Sequence, residues 1–170
     1  MKPFRFCPAD ATRLENPDHE GGSRCPSCGR SWYRNSAPTA GCAIVREAKA
    51  LVSVRAREPE KGRLDVPGGF LLAGEDPITG LKREVKEELG VEIDVGVGDC
   101  VSMVPHRYGE EGDFVLALGF VARLTGGKVE PNDDVAAVHW VGNEDLDELD
   151  FAWPHDRDLV RRALEREEKA

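Results

Sequence analysis

Hydrophobic and polar residues alternate along the first half of the chain in a pattern that predicts short strands. Residues 40–47 (AGCAIVRE) and 50–57 (ALVSVRAR) are rich in strand-forming residues and are joined by a charged turn. Two such runs, so closely connected, predict a β-hairpin. The stretch LDVPGGF, residues 64–70, predicts a further short strand that is broken by Pro67 and the two glycines after it.

A single long helical pattern occupies the middle of the chain. Asp76 is suited to cap the N-terminus of this helix, Pro77 to its first position and Gly90 to the position just after its end. Apolar residues recur at spacings of three and four, which predicts that one face of the helix packs against a sheet. These residues are Ile78, Leu81, Val85 and Leu89.

The second half of the chain predicts three strands and another long helix. We expect strands over residues 91–104, 113–124 and 135–141, a short helix over 143–149, and a final amphipathic helix from Pro154 onward. The residues between the first two of these strands, PHRYGEEG, are expected to form a polar loop. Strands, hairpin-like connections and two substantial helices together predict an α/β sandwich around a mixed sheet.

The chain is acidic, with 23 Lys and Arg residues against 32 Asp and Glu residues and a net charge of −9. This balance argues against a protein that holds nucleic acid or a membrane by bulk electrostatics. Residues 1–39 carry six basic and four acidic residues (+2), so the remainder carries 17 and 28 (−11). The shift predicts two parts, a small module over residues 1–37 and a main domain over residues 38–170.

The start of the sequence, MKPFRFCPAD, lacks the apolar run of a signal peptide. No stretch approaches the roughly 18 apolar residues that a membrane span needs. The cysteines number five, and the CPSC stretch has a metal-binding spacing, both of which are typical of a reducing compartment. We therefore expect a soluble, cytoplasmic protein without a membrane partner.

The central helix ends in REVKEELG, which crowds Glu84, Glu87 and Glu88 into five residues. Like charges three or four residues apart destabilise an isolated helix by about 0.2–0.5 kcal/mol per pair. The three acids lie beside the apolar stripe, at the border of the core. Carboxylates are hard oxygen donors suited to Mg²⁺ or Mn²⁺, so a divalent cation is one explanation and a solvated acidic face is the other.

The wider pattern decides between these explanations, because it resembles the Nudix box at every defined position. The matching residues are Gly69, Glu75, Arg83, Glu84, Val85, Glu87, Glu88, Gly90 and Val91. The resemblance implies a Nudix-type α/β/α sandwich around a mixed sheet. It also implies a hydrolase that cuts the diphosphate linkage of a nucleoside diphosphate compound by attack of water on phosphorus.

The same resemblance implies roles for the residues of the box. Glu84, Glu87 and Glu88 would carry Mg²⁺ or Mn²⁺, Arg83 would orient a glutamate, and Glu75 would support the metal shell. Glu84 is the first candidate for the general base. Acids outside the box are alternatives, although an ordinary surface turn would explain them equally well. They are Glu110, Glu111, Asp113, Asp133 and Asp134, of which Asp134 and Glu111 are the preferred candidates for an extra acid.

The amino-terminal cysteines resemble the zinc ribbon that precedes some Nudix hydrolases, including NADH pyrophosphatases and related enzymes that cleave FAD or ADP-ribose. Cys25 and Cys28 have the knuckle spacing, and Cys7 occupies the first position of the partner pair. Asp10 stands where a fourth cysteine is expected, with His19 as a less regularly spaced alternative. A structural Zn²⁺ is expected, and a degenerate ribbon held by packing is the alternative.

The substrate is less well defined by the sequence. NADH-cleaving relatives carry a Ser-Gln-Pro-Trp-type stretch after the box, which this chain lacks. In relatives, a proline downstream of the box is associated with ADP-ribose as substrate, and a tyrosine at nearly the same distance with dinucleoside polyphosphates. Pro105 and Tyr108 both lie near these positions, so neither residue decides between the two substrates. The stretch LDFAWPHDRDL resembles the turn of the FAD- and ADP-ribose-cleaving group, which favours these or similar dinucleotides. The candidate substrate-binding residues are Gly68, Gly69, Arg55 and Tyr108.

Two other classes of protein are compatible with parts of this pattern. A Nudix domain that binds a nucleotide without cutting it would act as a sensor, but sensors of that kind usually lose acids of the box, which are complete here. A nucleic-acid-binding ribbon protein is disfavoured by the net charge of −9. We expect a small nucleoside diphosphate compound as the partner, no nucleic acid, and a homodimer as a compatible assembly.

Overall fold

The computed structural model describes residues 4–109 and 113–169. Within these residues there are ten β-strands and two α-helices, and the two helices are the ones that the sequence predicted. The strands are β1 (Gly22–Arg24), β2 (Ser31–Tyr33), β3 (Ala37–Arg46), β4 (Lys49–Arg55), β5 (Leu64–Asp65), β6 (Gly68–Phe70), β7 (Glu92–Asp94), β8 (Cys100–Tyr108), β9 (Asp113–Gly126) and β10 (Val135–Val141), and the helices are α1 (Pro77–Leu89) and α2 (Pro154–Glu168).

The main sheet has the strand order β10-β4-β3-β9-β7, with β5 paired to β4, β6 to β3 and β8 to β9. Strands β3 and β9 run parallel, and the other pairs described in this sheet are antiparallel. The mixed sheet is therefore confirmed. The predicted hairpin is confirmed as well, because β3 and β4 pair from Ile44↔Leu51 to Arg46↔Lys49.

The two helices cover opposite faces of this sheet, which makes the fold a sandwich. Ile44 and Val45 are neighbours on β3, but Ile44 belongs to the core beneath α1 and Val45 to the core beneath α2. Successive strand residues point to opposite faces, so each face of β3 is buried under its own helix. Each fully buried Leu, Ile or Val side chain contributes about 1.5–3 kcal/mol to this packing.

The ends of α1 lie where the sequence predicted them. The Asp76 carboxylate accepts hydrogen bonds from the backbone N–H groups of Ile78 and Thr79 at 3.0 and 3.1 Å. At the other end, Gly90 has a φ of 69° and donates its N–H to the Lys86 carbonyl. These caps define both ends of α1, and the apolar stripe of the helix faces the sheet.

Two predictions around β8 are wrong. The segment from 91 to 104 is not one strand but β7, a short 3₁₀ turn over Val97–Asp99, and the start of β8. The predicted loop over 105–112 is strand up to Tyr108, and residues 110–112 lie outside the described residues. Among the described strands β8 pairs only with β9, and such an edge position tolerates Pro105, which has no N–H to donate.

The amino-terminal part has its own small sheet and its own core. In the part of the chain that the structure describes, strands β1 and β2 pair only with each other. Cys7, Leu14 and Cys25 are buried together, with Trp32 packed against them. The division at residue 37 stays a prediction, although β3 of the main sheet begins there. None of the described helices is long and apolar enough to cross a membrane.

Candidate active site

Helix α1 brings one of the box glutamates, Glu88, to the wall of a cavity beside the sheet. Its stripe of Leu81, Val85 and Leu89 is fully buried against β3 and β4, which fixes the rotation of the helix. As a consequence Glu88 is only 7% exposed, while Glu87 is exposed. Glu84 and Glu88 therefore lie at the border of the core, as predicted, whereas Glu87 points to solvent.

Glycines of β6 allow the sheet backbone to lie directly against these glutamates. The Gly68 N–H donates to Glu88 Oε2 at 2.9 Å. A Cβ at Gly69 would lie 2.5 Å from Glu84 Cδ, and a Cβ at Gly68 would lie 2.2 Å from the Ala40 carbonyl oxygen. Gly68 also has a φ of 146°, which strongly favours glycine. Because Gly68 and Gly69 have no side chains, the carboxylates of Glu88 and Glu84 can lie directly against the β6 backbone.

Arg83 joins three acids of the box. Its Nε and Nη2 donate to the two carboxylate oxygens of Glu75, each at 2.9 Å. Its Nη1 donates to Glu84 at 2.8 Å and to Glu87 at 3.2 Å. The guanidinium lowers the pKa of Glu75 to about 2, with help from the Leu72 backbone N–H. Glu75 is therefore held as an ionised carboxylate, and Arg83 fixes both the loop before α1 and the helix itself.

The two other carboxylates beside the cavity, Glu84 and Glu88, have too little positive charge near them to balance their negative charges. Burial raises the pKa of Glu88 well above its usual value; the Gly68 N–H opposes this shift and the negative charge of Asp134 adds to it. Burial also raises the pKa of Glu84, against the opposing effect of Arg83. A divalent cation would reduce the repulsion among the carboxylates of Glu84, Glu88 and Asp134. The carboxylate oxygens are the hard donors that Mg²⁺ and Mn²⁺ prefer. The residues present fit such an ion.

Of the five acids proposed outside the box, three lie within the described residues. Asp134 lines the cavity that also contains Glu88. Asp133 instead pairs with Arg57 at 2.9 Å on the surface, and Asp113 pairs with Arg34. Glu110 and Glu111 lie outside the described residues. Among the described candidates, Asp134 is the extra acid nearest to the box.

All four predicted substrate-binding residues line this cavity. The cavity has one part lined by glycines and acidic side chains and another part lined by aromatic side chains. The lining includes Arg55, Asp65, Gly68, Gly69, Phe70, Glu88, His106, Tyr108, Asp134, Trp153, His155 and Asp156. Asp65, His155 and Asp156 were missed by the sequence interpretation. The WPHD stretch at the start of α2 is the one signal that could have indicated the last two.

The aromatic part of the cavity is one continuous wall. Tyr108 packs nearly parallel to Trp153, with ring centroids 5.5 Å apart, and meets the edge of Phe70 at 5.4 Å. The Arg55 guanidinium lies 4.8 Å from the centre of the Trp153 ring. His106 and His155 are in contact, and burial lowers the pKa of His155 to about 4. A flat, uncharged ring system could stack on this wall.

The amino-terminal cysteines form a second group of metal-type ligands. One ligand atom from each of Cys7, Asp10, Cys25 and Cys28 lies within 4.8 Å of the others. The Cys7 and Cys28 sulfurs are 3.8 Å apart. Tetrahedral zinc with Zn–S bonds of about 2.3 Å separates two sulfurs by about 3.8 Å, so the spacing is compatible with zinc. His19, the alternative fourth ligand, is not part of this group.

Fold and site together define a class of protein: a helix–sheet–helix sandwich that places clustered carboxylates and glycine backbone beside a cavity lined by aromatic side chains. The comparison with known families agrees, since the NUDIX domain model matches residues 35–163. The chain belongs to this family, and the resemblance seen in the sequence is confirmed. Nudix hydrolases generally use divalent metal ions, as the donor set here also indicates.

Individual relatives agree on the family and differ in their names. The chain is 30% identical over 166 residues to the NAD-capped RNA hydrolase NudC of Pseudomonas aeruginosa, covering 95% of this chain and 54% of that protein. It is 37% identical over 126 residues to a provisionally named 8-oxo-dGTP diphosphatase of Mycobacterium tuberculosis, covering 69% and 81%. The chain thus spans about half the length of the NudC relative.

A solved structure extends the likeness in fold over nearly the whole chain. The crystal structure of a NUDIX hydrolase from Nitrosomonas europaea superimposes with a TM-score of 0.76 and covers 98% of this chain and 94% of that one. The two sequences are 22% identical. At this identity the comparison concerns the fold, which is confirmed as the Nudix sandwich.

Proposed function

We propose that the protein hydrolyses the diphosphate linkage of a nucleoside diphosphate compound with the help of Mg²⁺ or Mn²⁺. The observation that carries the proposal is the packing of Glu84 and Glu88 against Gly69 and Gly68, beside the cavity. Glu88 is buried and Glu84 is half-buried, and the Arg83 guanidinium that contacts Glu84 is shared with Glu75 and Glu87. A divalent metal ion would provide the additional positive charge that these carboxylates need. The complete box, within a chain that belongs to the family, supports the same reaction.

Each residue of the box has its own role in the proposed reaction. Glu84, Glu87 and Glu88 would hold the divalent ion, which when bound neutralises phosphate charge and lowers the pKa of water. Arg83 positions Glu84 and Glu87 through the hydrogen bonds described above, and Glu75 fixes Arg83 in turn. Glu84 is the first candidate for the general base. Asp134 is the alternative, because it lines the same cavity and its charge acts on both Glu84 and Glu88.

ADP-ribose, FAD or a similar dinucleotide is the substrate class that we favour. The wall of Phe70, Tyr108 and Trp153 supports a stacked base, and Arg55 supports a phosphate or a polar ring edge. One relative is named for NAD-capped RNA, and NAD contains the same adenosine diphosphate unit. That name also leaves the expectation of no nucleic acid partner untested, so a capped RNA belongs among the compounds to be tried.

A substrate screen combined with two variants tests the proposal. The panel contains ADP-ribose, FAD, NAD⁺ and NADH, NAD-capped RNA, a dinucleoside polyphosphate and nucleoside triphosphates, each with Mg²⁺ or Mn²⁺. Glu87→Gln and Glu88→Gln are expected to lower turnover of the best compound by at least about a hundredfold, because metal stabilisation of the transition state amounts to several kcal/mol.

Glu92→Gln is the matched control, since Glu92 is an exposed glutamate of β7 that pairs with Lys86 outside the site. Its turnover should stay within about twofold of the wild type. Wild-type rates in both box variants, measured on protein with an unchanged circular dichroism spectrum, would refute the proposed roles. Compounds that bind but are recovered intact would instead indicate a sensor.

We also propose that Cys7, Asp10, Cys25 and Cys28 hold a structural Zn²⁺. The mutual spacing of their ligand atoms supports it. The module has a hydrophobic core of only a few residues, and a segment of under 40 residues seldom folds without a metal or a disulfide. Zinc would therefore stabilise the module without taking part in the hydrolysis.

A further inference from the structure

The Arg55 guanidinium in the wall of the cavity is held in place from several sides. Its Nη1 donates to Oδ2 of Asp65 at 2.5 Å, and its Nε donates to the Pro59 carbonyl at 2.8 Å. Its central carbon lies over the Trp153 ring, 4.8 Å from the ring centre. Both side chains of the ion pair are largely shielded from water, with 13% of Arg55 and 17% of Asp65 exposed. Arg55 is therefore a fixed part of the cavity wall.

Asp65 is itself held by groups on both sides of Arg55. Its Oδ1 accepts the Val66 backbone N–H at 2.8 Å, and its carboxylate is also hydrogen-bonded to Asp156. Burial and the charge of Asp65 raise the pKa of Asp156 well above its usual value, so Asp156 keeps its proton and donates it to Asp65. The guanidinium then balances the charge of Asp65 alone, and both oxygens of Asp65 are engaged within the protein.

The backbone places Trp153 beside this ion pair. Leu64 of β5 forms a parallel bridge with Phe151, and the Leu64 carbonyl accepts the Ala152 N–H at 2.7 Å. Asp65 directly follows Leu64, and Trp153 directly follows Ala152. The short strand that carries the carboxylate therefore also fixes the turn that carries the ring, so the guanidinium is held between two parts of one rigid arrangement.

Stability of the fold does not account for an ion pair at this position. Taking two charges out of water costs about as much as their attraction returns, and apolar side chains of the same volume serve a fold equally well. What distinguishes this pair is its place, because Arg55 lines the cavity and contacts the Tyr108 side chain. Tyr108 in turn packs nearly parallel to Trp153. Asp65 thus acts on the aromatic wall through Arg55.

We propose that Asp65 is a positioning residue for substrate binding: it holds the Arg55 guanidinium flat on Trp153, so that arginine and ring form one fixed surface against the part of the substrate that is not hydrolysed. The inference rests on the proposed function for the reaction itself. Contacts with a non-reacting part of a substrate are equal in the ground state and the transition state, so their loss raises KM and leaves kcat nearly unchanged. This separates Asp65 from the box glutamates, whose loss lowers kcat.

Asp65→Asn removes the charge of this residue and keeps its size. With the best compound of the panel, KM should rise by about 3- to 30-fold, the range expected when a shielded contact between a guanidinium and a ring is lost. The value of kcat should stay within about threefold of the wild type. Asp147→Asn is the matched control, since Asp147 pairs with Arg161 at 2.7 Å but is 81% exposed, outside the cavity. Its KM and kcat should stay within about twofold of the wild type.

A double-mutant cycle decides whether Asp65 acts through the arginine. Arg55→Ala should raise KM at least as much as Asp65→Asn does. In the Arg55→Ala background, Asp65→Asn should change KM by no more than about twofold, because the two residues form one unit. A merely structural role of Asp65 would give the same rise in KM in both backgrounds, and that result would overturn the inference.

Other results would also overturn it, even when the compounds are hydrolysed. They are an unchanged KM in Asp65→Asn, or a loss confined to kcat. If no compound is hydrolysed, the proposed function fails and calorimetric titration of ADP-ribose and FAD in EDTA decides the inference separately. Weaker binding to Asp65→Asn would support it, and equal binding, or no binding to the wild type, would overturn it. If Asp65→Asn does not fold, Asp65→Glu, which displaces the carboxylate by one methylene group, is judged by the same criteria.

Discussion

At the scale of single residues, spacing in the sequence predicted the carboxylates of the box but not the pair of Asp65 and Asp156. Glu84 and Glu88 lie one turn apart on α1, so their shared face follows from helix geometry alone. Asp65 ends β5, whereas Asp156 begins α2. Only the tertiary fold brings these two acids together at Arg55, and no local pattern contains that information.

A single methyl group at Gly69 tests how closely the sheet must approach the box. Gly69→Ala places a Cβ 2.5 Å from Glu84 Cδ, so that carboxylate must move. A displacement of about 1 Å in a reacting site can cost about a hundredfold, and we expect kcat/KM to fall by at least about tenfold. The measurement is the initial rate on the best substrate of the panel.

Gly98→Ala provides the matched control for Gly69→Ala. A Cβ at Gly98 has no atom within 4 Å, and this glycine lies in the short turn before β8, away from the cavity. Its rate should equal that of the wild type. A Gly69→Ala enzyme with a wild-type rate would show that the position of Glu84 does not matter for turnover.

At the scale of elements, helix boundaries were easier to predict than strand boundaries. Asp76, Pro77 and Gly90 each favour one position at a helix end, and α1 begins and ends accordingly. β8 has no comparable signal: its residues from Pro105 to Tyr108 read as loop, yet they pair with β9. A long partner strand overrode the local preference, which is common for β structure.

The amino-terminal module allows a prediction at this scale, because the four residues proposed to bind zinc lie before β1 and between β1 and β2. The purified protein should contain about one zinc per chain by mass spectrometry. Asp10→Ala should weaken zinc binding by more than about tenfold, since loss of even a supporting residue behind a ligand costs about 10- to 100-fold. Competition with a coloured chelator measures the affinity.

His19→Ala distinguishes the two fourth ligands that the sequence left open. His19 is outside the cysteine group, so its removal should leave zinc affinity unchanged. The opposite result, with a loss in His19→Ala and none in Asp10→Ala, would assign the position to the histidine. Protein that contains no zinc, and whose stability is unaffected by chelators, would favour a ribbon held by packing.

At the scale of the whole molecule, the fold class was predictable and the strand order was not. Two amphipathic helices and several strands allow few architectures other than a sandwich. The parallel pairing of β3 with β9 in the middle of the sheet joins segments far apart in sequence. That pairing aligns β6, β8 and the start of α2 around one cavity, so the site depends on a contact that only the complete fold provides.

Hydrolysis in ¹⁸O-labelled water, followed by mass spectrometry of the products, tests the central claim most directly. With Mg²⁺, the best compound of the panel should yield two phosphate-containing products, one of which carries a single ¹⁸O atom from the attacking water. Cleavage should stop in EDTA, return when Mg²⁺ is restored, and be nearly absent in Glu88→Gln. Recovery of every compound intact with both Mg²⁺ and Mn²⁺, or cleavage that persists in EDTA, would contradict a metal-dependent reaction at the carboxylates of α1.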